Sequence, residues 1–218
     1  MRIALAMIVK GDDKEAELLD RCLENMSPYV DGIFITRTQP NKKVGKVCKK
    51  YGAVLSDFKW INEFAAARNF NFSQVPKDYD YIIWSDADDM WRGLEKLKPE
   101  IEKYPNVEAF GMWYLYDFDE NKSPTVVHKK TMVVKNDGCV SWQGVLHEDL
   151  VETRSITTVF LQGIERMHFT TEERLLSAKS RNVDVAQHDV ELNPNDPRAL
   201  WNLGNSYLGN FQYEKAYE

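Results

Sequence analysis

Apolar residues in the first half of the chain form short continuous runs that are separated by helically spaced stretches. Residues 3–9 are an apolar run, and the apolar positions between residues 18 and 26 recur every three or four residues. A second apolar run follows at residues 32–36. This opening segment predicts a strand, a helix and a second strand. Repeats of that unit predict a parallel sheet that is covered by helices on both faces.

The same alternation predicts further elements up to a cluster of acidic residues. We expect a helix over 41–51, a strand over 53–56, a helix over 63–74 and a fourth strand over 79–84. The fourth strand is rich in aromatic and β-branched residues and runs directly into Ser85-Asp86-Ala87-Asp88-Asp89. Ligands of open α/β sheets bind beyond the carboxyl ends of the strands. The acidic segment is therefore predicted to line a site.

The pattern changes after residue 108. Shorter apolar runs follow at residues 109–116, 125–127, 131–134 and 158–161, with turn residues such as Asn136-Asp137-Gly138 between them. Turns of this kind join neighbouring antiparallel strands, so this half is predicted to make the sheet mixed.

Helical spacing dominates from residue 170 onwards. One helix is predicted to end near Leu192, and Asp196-Pro197 reads as the start of another. The segment 199–216 resembles a tetratricopeptide (TPR) repeat, although a plain helical hairpin fits equally well. We therefore predict a first domain over residues 1–169 and a helical extension over 170–218. One partial repeat cannot bury its own apolar face, so we expect the natural protein to continue.

Composition limits the classes of function. The chain has 218 residues with a net charge of −6, which argues against broad electrostatic binding of nucleic acid. The sequence contains neither a cleavable signal peptide nor a transmembrane segment, so we expect a cytoplasmic protein. Cys22, Cys48 and Cys139 are widely spaced and odd in number, which favours buried core residues over a disulfide framework.

The acidic segment is the strongest chemical signal. Asp86 and Asp88 are separated by one residue at a strand end, so their side chains leave from the same face and converge on one cation. Mg²⁺ and Mn²⁺ prefer such oxygen ligands and share them with substrate phosphates. The alternative is a solvated acidic turn, but the mutual repulsion of three acids in four residues favours a bound cation.

Four segments together resemble the inverting glycosyltransferases of the GT-A fold (family 2-like), in the branch that carries C-terminal TPR repeats. They are Met7-Ile8-Val9-Lys10 with Leu19-Asp20-Arg21-Cys22-Leu23, Trp60 with Phe64-Ala65-Ala66-Ala67-Arg68-Asn69, Trp84-Ser85-Asp86-Ala87-Asp88-Asp89, and Gly144-Val145-Leu146-His147-Glu148 followed by His168. The resemblance implies an α/β fold of the GT-A type, which is a Rossmann-like mixed sheet flanked by helices. It also implies a nucleotide-diphosphate sugar as donor.

The resemblance implies a role for each matching residue. Asp88 binds Mn²⁺ or Mg²⁺ directly, Asp86 holds the ribose or the water shell of the ion, and His168 supplies a third ligand. The implied residues of the nucleotide-sugar site are Met7, Val9, Lys10, Asp57, Arg68 and Asp86. An ordinary structural role is open for Arg68 (a surface ion pair), Asp57 (a turn residue) and His168.

The same resemblance supplies candidates for proton transfer. Glu148 is the candidate base that takes the proton of the acceptor, with Asp149 as the alternative, and His147 orients either of them or the acceptor. Both carboxylates are also compatible with a helix start. Trp91, Trp113 and Trp142 are candidates for stacking on a sugar, although tryptophan is also a common core residue.

The function that follows is transfer of a hexose from a UDP-sugar to a glycan, protein or lipid acceptor. UDP-glucose and UDP-N-acetylglucosamine are the favoured donors, and galactose is an open alternative for the sugar. The TPR-like helices suggest a protein partner or self-association. A sugar nucleotidylyltransferase is disfavoured because no glycine-rich loop follows Val9. A haloacid-dehalogenase-type phosphatase is disfavoured because the acidic pair lies after three strand-helix units. A peptide-binding scaffold explains only the last quarter of the chain.

Overall fold

The computed structural model describes residues 1–169 and 172–217, and the side chains of residues 172–175 lie outside this description. The chain forms two compact units. The first contains Met1–Lys59, Ala67–Ser141 and Leu150–Phe169, and the second contains Trp60–Ala66, Trp142–Asp149 and the C-terminal helices. Two earlier segments thus join those helices, and the division into residues 1–169 and 170–218 stays a prediction.

The alternation predicted for the first half is present. Its elements are β1 (Ile3–Val9), α1 (Asp13–Met26), β2 (Gly32–Arg37), α2 (Lys42–Lys50), β3 (Val54–Asp57), α3 (Phe64–Ser73), β4 (Tyr81–Trp84), β5 (Asp89–Arg92) and α4 (Leu97–Glu102). Short 3₁₀ turns at Ser27–Tyr29 and Leu94–Lys96 follow α1 and precede α4. Local apolar spacing predicted the elements from β1 to β4 to within a few residues, whereas β5 and α4 were not predicted.

The second half contains longer strands than predicted. Its elements are β6 (Ala109–Phe118), β7 (Pro124–Lys135), β8 (Val140–Gln143), β9 (Asp149–Glu152), β10 (Thr158–His168), α5 (Glu172–Leu192), α6 (Pro197–Gly209) and α7 (Tyr213–Tyr217). The two separate strands predicted within 125–134 are one strand, because β6 pairs with β7 across the polar residues between them. The run predicted to end at residue 161 continues to His168 through pairing with β6 and β5.

One mixed sheet organises the first unit. Its strand order is β3-β2-β1-β4-β7-β6-β10-β5. β1 to β4 are mutually parallel, β7 is antiparallel to both of its neighbours, and β10 runs parallel to β6 but antiparallel to β5. The predicted mixed α/β sheet is therefore confirmed. The carboxyl ends of β1 to β4 meet at one edge, which is where the acidic segment begins.

The alternating side chains of β1 explain why both faces of this sheet are covered. Ile3, Leu5 and Met7 pack into the core cluster that contains the buried residues of α1. Ala4 and Ala6 face the opposite side and belong to a cluster with Phe72 and Val75. All three cysteines are buried, as predicted for core residues.

The second unit has its own small core, centred on α5 and α6. Val185 and Ala186 of α5 pack with Leu146, and partly buried residues complete the cluster, namely Trp60, Phe64, Val145 and Leu203. The Phe64 N–H donates to the Val145 carbonyl over 3.1 Å, which ties the two earlier segments together. Within residues 1–169 and 172–217, each helix is too short or too polar to cross a bilayer.

The start of α6 is as predicted. The Asp196 carboxylate accepts the Arg198 N–H over 2.9 Å, and Pro197 occupies the first turn. A Cβ atom at Gly204 would lie 3.8 Å from the Ala216 carbonyl oxygen, so this glycine lies close to α7. The C-terminal segment is thus a helical extension with a close helix pair, which fits a TPR repeat and a plain helical hairpin equally.

Candidate active site

The acidic segment is the loop Ser85–Asp88 that carries the chain from β4 to β5. β4 lies inside the sheet, whereas β5 pairs antiparallel with β10 at the opposite edge from β3. The register of that pairing places His168 directly opposite Asp89. Strand pairing therefore brings His168 to the acidic loop from 79 positions further along the chain.

The Asp89 carboxylate organises the loop. It is fully buried, and its Oδ2 accepts the Asp86 N–H over 2.7 Å and the Ser85 hydroxyl over 3.2 Å. The Asp89 N–H donates back to the Asp86 carbonyl over 3.1 Å, and the indole N–H of Trp91 donates to the Ser85 hydroxyl oxygen over 2.9 Å. These bonds fix the backbone from which the other acidic side chains project.

A fully buried arginine compensates the charge of this loop. The Arg166 Nη2 atom lies 2.6 Å from Asp86 Oδ2 and also forms an ion pair with Asp89 Oδ2. Its guanidinium carbon lies 4.3 Å from the centre of the Trp84 ring and 4.6 Å from that of Tyr114. Burial alone would lower the pKa of Arg166, but Asp89, Tyr114 and Asp86 together outweigh it and raise that pKa above the usual arginine value.

Arg68 approaches the same aspartate from another direction. Its Nη2 atom lies 2.8 Å from Asp86 Oδ1, and its guanidinium carbon lies 5.0 Å from the centre of the Trp84 ring. Burial alone would raise the pKa of Asp86, but the Arg68 and Arg166 guanidinium groups outweigh it and hold that pKa well below the usual range. Asp86 is therefore ionised, and 31% of its side chain is exposed to meet a ligand.

Asp88 and His168 form the part of the site that is best suited to a cation. His168 Nδ1 lies 3.7 Å from Asp88 Oδ1 and 3.2 Å from Asp89 Oδ1, and the imidazole stacks on the Tyr116 ring at 4.7 Å. Burial alone would lower the pKa of His168, but its contacts with Asp89 and Asp88 outweigh it and raise that pKa. The imidazole is thus held against two carboxylates.

The donor set fits a divalent cation. One ligand atom from each of Asp88, Asp89 and His168 lies within 4.8 Å of the others, which is a separation that a single ion can bridge. Carboxylate oxygens with an imidazole nitrogen suit Mn²⁺, and Mg²⁺ accepts the carboxylates. Asp86 lies outside this group, because its two oxygens face guanidinium groups instead.

The structure distributes the other predicted donor-site residues along β1 and β3. The side chains of Met7 and Val9 are buried in the core, whereas Lys10 is exposed beyond the end of β1. Asp57 is the last residue of β3, and its carboxylate accepts two hydrogen bonds from Arg37, over 2.5 and 3.2 Å. Arg68, in α3, differs from these residues in that its guanidinium forms an ion pair with the acidic loop.

The predicted proton-transfer residues belong to the second unit. His147 has a positive φ of 55°, and Asp149, two residues further on, is the first residue of β9. The Arg198 guanidinium donates to the His147 carbonyl over 3.0 Å and to the Asp149 carboxylate over 3.4 Å. Glu148 is half-buried between them. The helix start that was considered for Glu148 and Asp149 is replaced by a turn and a short strand.

The three candidate tryptophans do not form a common exposed face. Trp91 is 3% exposed and Trp142 is 2% exposed, so neither ring offers a face to a sugar. Trp113 is half-buried, and its ring meets Phe160 edge to face at 4.8 Å with the Lys129 ammonium 5.4 Å above it. The core interpretation therefore holds for Trp91 and Trp142.

Sequence reasoning assigned no role to Arg166 or Asp89. A signal for Arg166 is present in the spacing of β10, because Ile164, Arg166 and His168 alternate along one face of a strand. Because alternate residues of a strand share a face, Arg166 lies on the same face as Ile164, which is fully buried. A buried charge of this kind requires a partner, which here is the acidic loop.

Comparisons with known sequences give one partial relative. No protein-family model matches the chain. A TPR repeat-containing protein from Synechococcus elongatus is 28% identical over 109 residues, which are 50% of this chain and 26% of the relative. The matched region thus spans about a quarter of that protein.

Comparisons with solved structures extend over most of the chain. Glucosyl-3-phosphoglycerate synthase from Mycobacterium tuberculosis, in complex with Mn²⁺ and UDP-glucose, matches with a TM-score of 0.53 at 12% identity, over 86% of this chain and 77% of that one. Mannosyl-3-phosphoglycerate synthase from Rubrobacter xylanophilus matches with a TM-score of 0.53 at 11% identity, over 90% of this chain and 76% of that one.

A nucleotidyltransferase is also similar. The 4-diphosphocytidyl-2C-methyl-D-erythritol synthase from Anaerococcus prevotii matches with a TM-score of 0.54 at 10% identity, over 82% of this chain and 95% of that one. At such low identity these likenesses bear on the fold and not on the reaction. The chain has the GT-A fold, a mixed sheet flanked by helices, with a C-terminal helical extension.

Proposed function

We propose that this protein is a metal-dependent, inverting glycosyltransferase that moves a hexose from a UDP-sugar to a nucleophile of a glycan, protein or lipid acceptor. The observation that carries the proposal is the convergence of Asp88 and His168, 3.7 Å apart, where the acidic loop leaves the central strand of a GT-A sheet. The solved M. tuberculosis synthase of the same fold contains Mn²⁺ and UDP-glucose, which supports this choice of cation and donor.

The charges of the site suit a diphosphate leaving group. A bound Mn²⁺ or Mg²⁺ would be held by Asp88 and His168, with Asp89 as the third residue of the donor set. It would stabilise the negative charge that develops on the departing diphosphate. Arg68 adds a guanidinium group that pairs with phosphate oxygens. Asp86 is ionised and partly exposed, so it is suited to accept hydrogen bonds from ribose hydroxyls.

Proton transfer is assigned on the sequence resemblance. Inversion requires a base that takes the proton of the acceptor as the new glycosidic bond forms. Glu148 is the proposed base, Asp149 is the alternative, and His147 is the proposed orienting group. The Arg198 guanidinium at 3.4 Å from Asp149 gives that carboxylate a partner in the second unit.

A binding experiment tests the donor assignment. We expect UDP to bind, in calorimetric titrations, at least about tenfold more tightly with Mn²⁺ than with EDTA, because the cation bridges protein and diphosphate. Wild-type protein should also hydrolyse one of a panel of UDP-sugars slowly when no acceptor is present. Affinity for UDP that does not respond to the cation would argue against this site.

Two matched variants test the base. Glu148→Gln should lower the rate of transfer by about 10² or more while UDP affinity stays unchanged, because a general base acts on the acceptor alone. Asp149→Asn should have the smaller effect. The assignment passes to Asp149 if the order of the two effects is reversed.

The fold likeness to a nucleotidyltransferase supports one competing function. A nucleotidyltransferase transfers the nucleoside monophosphate group of a nucleoside triphosphate to a phosphorylated substrate and releases pyrophosphate, whereas a glycosyltransferase releases the nucleoside diphosphate. Incubation with UTP and hexose 1-phosphates, with pyrophosphate as the readout, separates the two. Release of pyrophosphate at rates above those of UDP-sugar turnover would favour the competing function.

A further inference from the structure

The feature that neither the sequence resemblance nor the proposed chemistry accounts for is Arg166. A fully buried arginine is costly unless its charge is compensated, and here one nitrogen, Nη2, contacts both Asp86 and Asp89. Its Nε and Nη1 atoms have no hydrogen-bond acceptor within the described part of the chain. Arg166 therefore acts on the two carboxylates through its positive charge and the single atom Nη2, and not through a bidentate hydrogen-bonding pattern of the guanidinium group.

The surroundings of Arg166 prevent it from taking another position. The guanidinium lies over the rings of both Trp84 and Tyr114, and the backbone of Arg166 is paired with Trp91 on one side and Tyr114 on the other. A cation over two aromatic faces is stabilised by both rings. The acidic loop thus meets a fixed positive charge.

This fixed charge divides the carboxylate oxygens of the loop into two groups. Oδ2 of Asp86 and Oδ2 of Asp89 face Arg166, whereas Oδ1 of Asp88 and Oδ1 of Asp89 face His168. A cation that competes for Asp86 Oδ2 must displace a buried ion pair. A cation held at Asp88 and His168 leaves the ion pair between Arg166 and Asp86 in place.

We propose that Arg166 is a positioning residue that withholds Asp86 from the metal and fixes it for the nucleotide. This assignment rests on the proposed function, because it gives Asp86 the task of binding the ribose. It predicts opposite effects on two affinities. Without Arg166, Asp86 Oδ2 becomes available to the cation while Oδ1 stays paired with Arg68. The carboxylate then has one guanidinium partner in place of two and no longer keeps a fixed orientation towards the nucleotide.

The test needs a variant that still folds. Arg166→Met alone leaves the buried Asp89 carboxylate without its guanidinium partner, so we combine it with Asp89→Asn, whose amide oxygen can still accept from the Asp86 N–H. Asp89→Asn alone is the matched control, because it keeps Arg166. Both proteins are compared by urea unfolding, by Mn²⁺ titration with electron paramagnetic resonance and by UDP titration at saturating Mn²⁺.

Relative to the control, we expect the double variant to bind Mn²⁺ about tenfold more tightly, since a nearby positive charge has been removed, and UDP about tenfold more weakly. The single variant Arg166→Lys should keep the affinities for Mn²⁺ and for UDP within about threefold of wild type, since one ammonium nitrogen can contact both carboxylates. A merely structural role would weaken both affinities together, and that result, like unchanged affinities, would overturn the assignment.

The two proposals fail in different ways. Wild-type protein that binds neither Mn²⁺ nor UDP would overturn the proposed function and the role of Arg166 with it. Wild-type protein that binds both, with a double variant that matches the control, would overturn the role of Arg166 and leave the proposed function standing.

Discussion

Asp86 and Asp88 are separated by one residue, yet their side chains contact different partners. Two guanidinium groups hold Asp86, at 2.8 and 2.6 Å, whereas Asp88 faces the imidazole of His168. The short spacing predicted that both would serve one cation. Their neighbours, contributed by α3 and β10, favour separate tasks.

Single substitutions at these two positions should therefore differ. We expect Asp88→Asn to weaken Mn²⁺ binding by at least about tenfold, because a ligand charge is lost, and Asp86→Asn to change it by less than about threefold. UDP affinity at saturating Mn²⁺ should fall in Asp86→Asn. The free Mn²⁺ signal in electron paramagnetic resonance measures the first effect, and equal losses of Mn²⁺ affinity in both variants would contradict this division.

At the scale of elements, the approach of β5 to β10 depends on two glycines. Gly93 follows β5 with a φ of 79°, and Gly163 lies in β10 with a φ of 73°. A Cβ atom at Gly93 would lie 2.0 Å from the Gly163 carbonyl oxygen, which is backbone and cannot turn aside. The register that places His168 opposite Asp89 lies a few residues beyond this contact.

Alanine substitution separates the cost of the clash from the cost of the backbone conformation. Gly138 has a similar φ of 81°, and no atom of the described residues lies within 4 Å of its Cβ position. Gly138→Ala should thus cost about 1 kcal/mol in the free energy of unfolding. Gly93→Ala should cost more than about 3 kcal/mol and should also weaken Mn²⁺ binding. Urea unfolding measures both, and equal losses would refute the packing argument.

Asp31 ties three elements together near the start of β1. Its carboxylate accepts the Ile3 N–H over 2.7 Å and the Lys98 ammonium over 2.6 Å, which joins the approach to β2 with β1 and α4. Partial burial would raise the pKa of Asp31, but the Lys98 ammonium and the Ile3 N–H outweigh it and hold that pKa below the usual aspartate value.

This depressed pKa has a definite consequence for acid stability. A lowered folded-state pKa adds stability above the unfolded-state pKa of about 3.9, and that stability is lost as the pH falls through the folded value. Asp31→Asn should therefore cost on the order of 1 kcal/mol at pH 7. The difference from wild type should shrink below about pH 4. Urea unfolding at several pH values measures it, and a difference independent of pH would contradict the charge argument.

At the scale of the whole molecule, the sequence predicted what depends on local periodicity. The buried alternation of β1 and the helical spacing of α1 are properties of short segments, so both elements were found. β5 has four residues and is a strand because β10 pairs with it from more than seventy positions away. Arg166 and Asp89 were missed for the same reason, since strand pairing across the sheet, and not spacing along the chain, brings them together in the site.

The two compact units allow the effect of ligands to be located within the molecule. Asp88, His168 and Arg68 all belong to the first unit, so UDP with Mn²⁺ should slow hydrogen exchange in the loop after β4 and at the end of β10. At a free ligand concentration of 100 times Kd, binding should raise the free energy of unfolding of this unit by about 2.7 kcal/mol.

Exposed Glu120, in the turn before β7, provides a control of like charge, and Glu120→Gln should keep the full effect. Asp88→Asn should lose the fraction of this stabilisation that requires Mn²⁺. Equal stabilisation of the Asp88→Asn and Glu120→Gln variants would place the cation elsewhere.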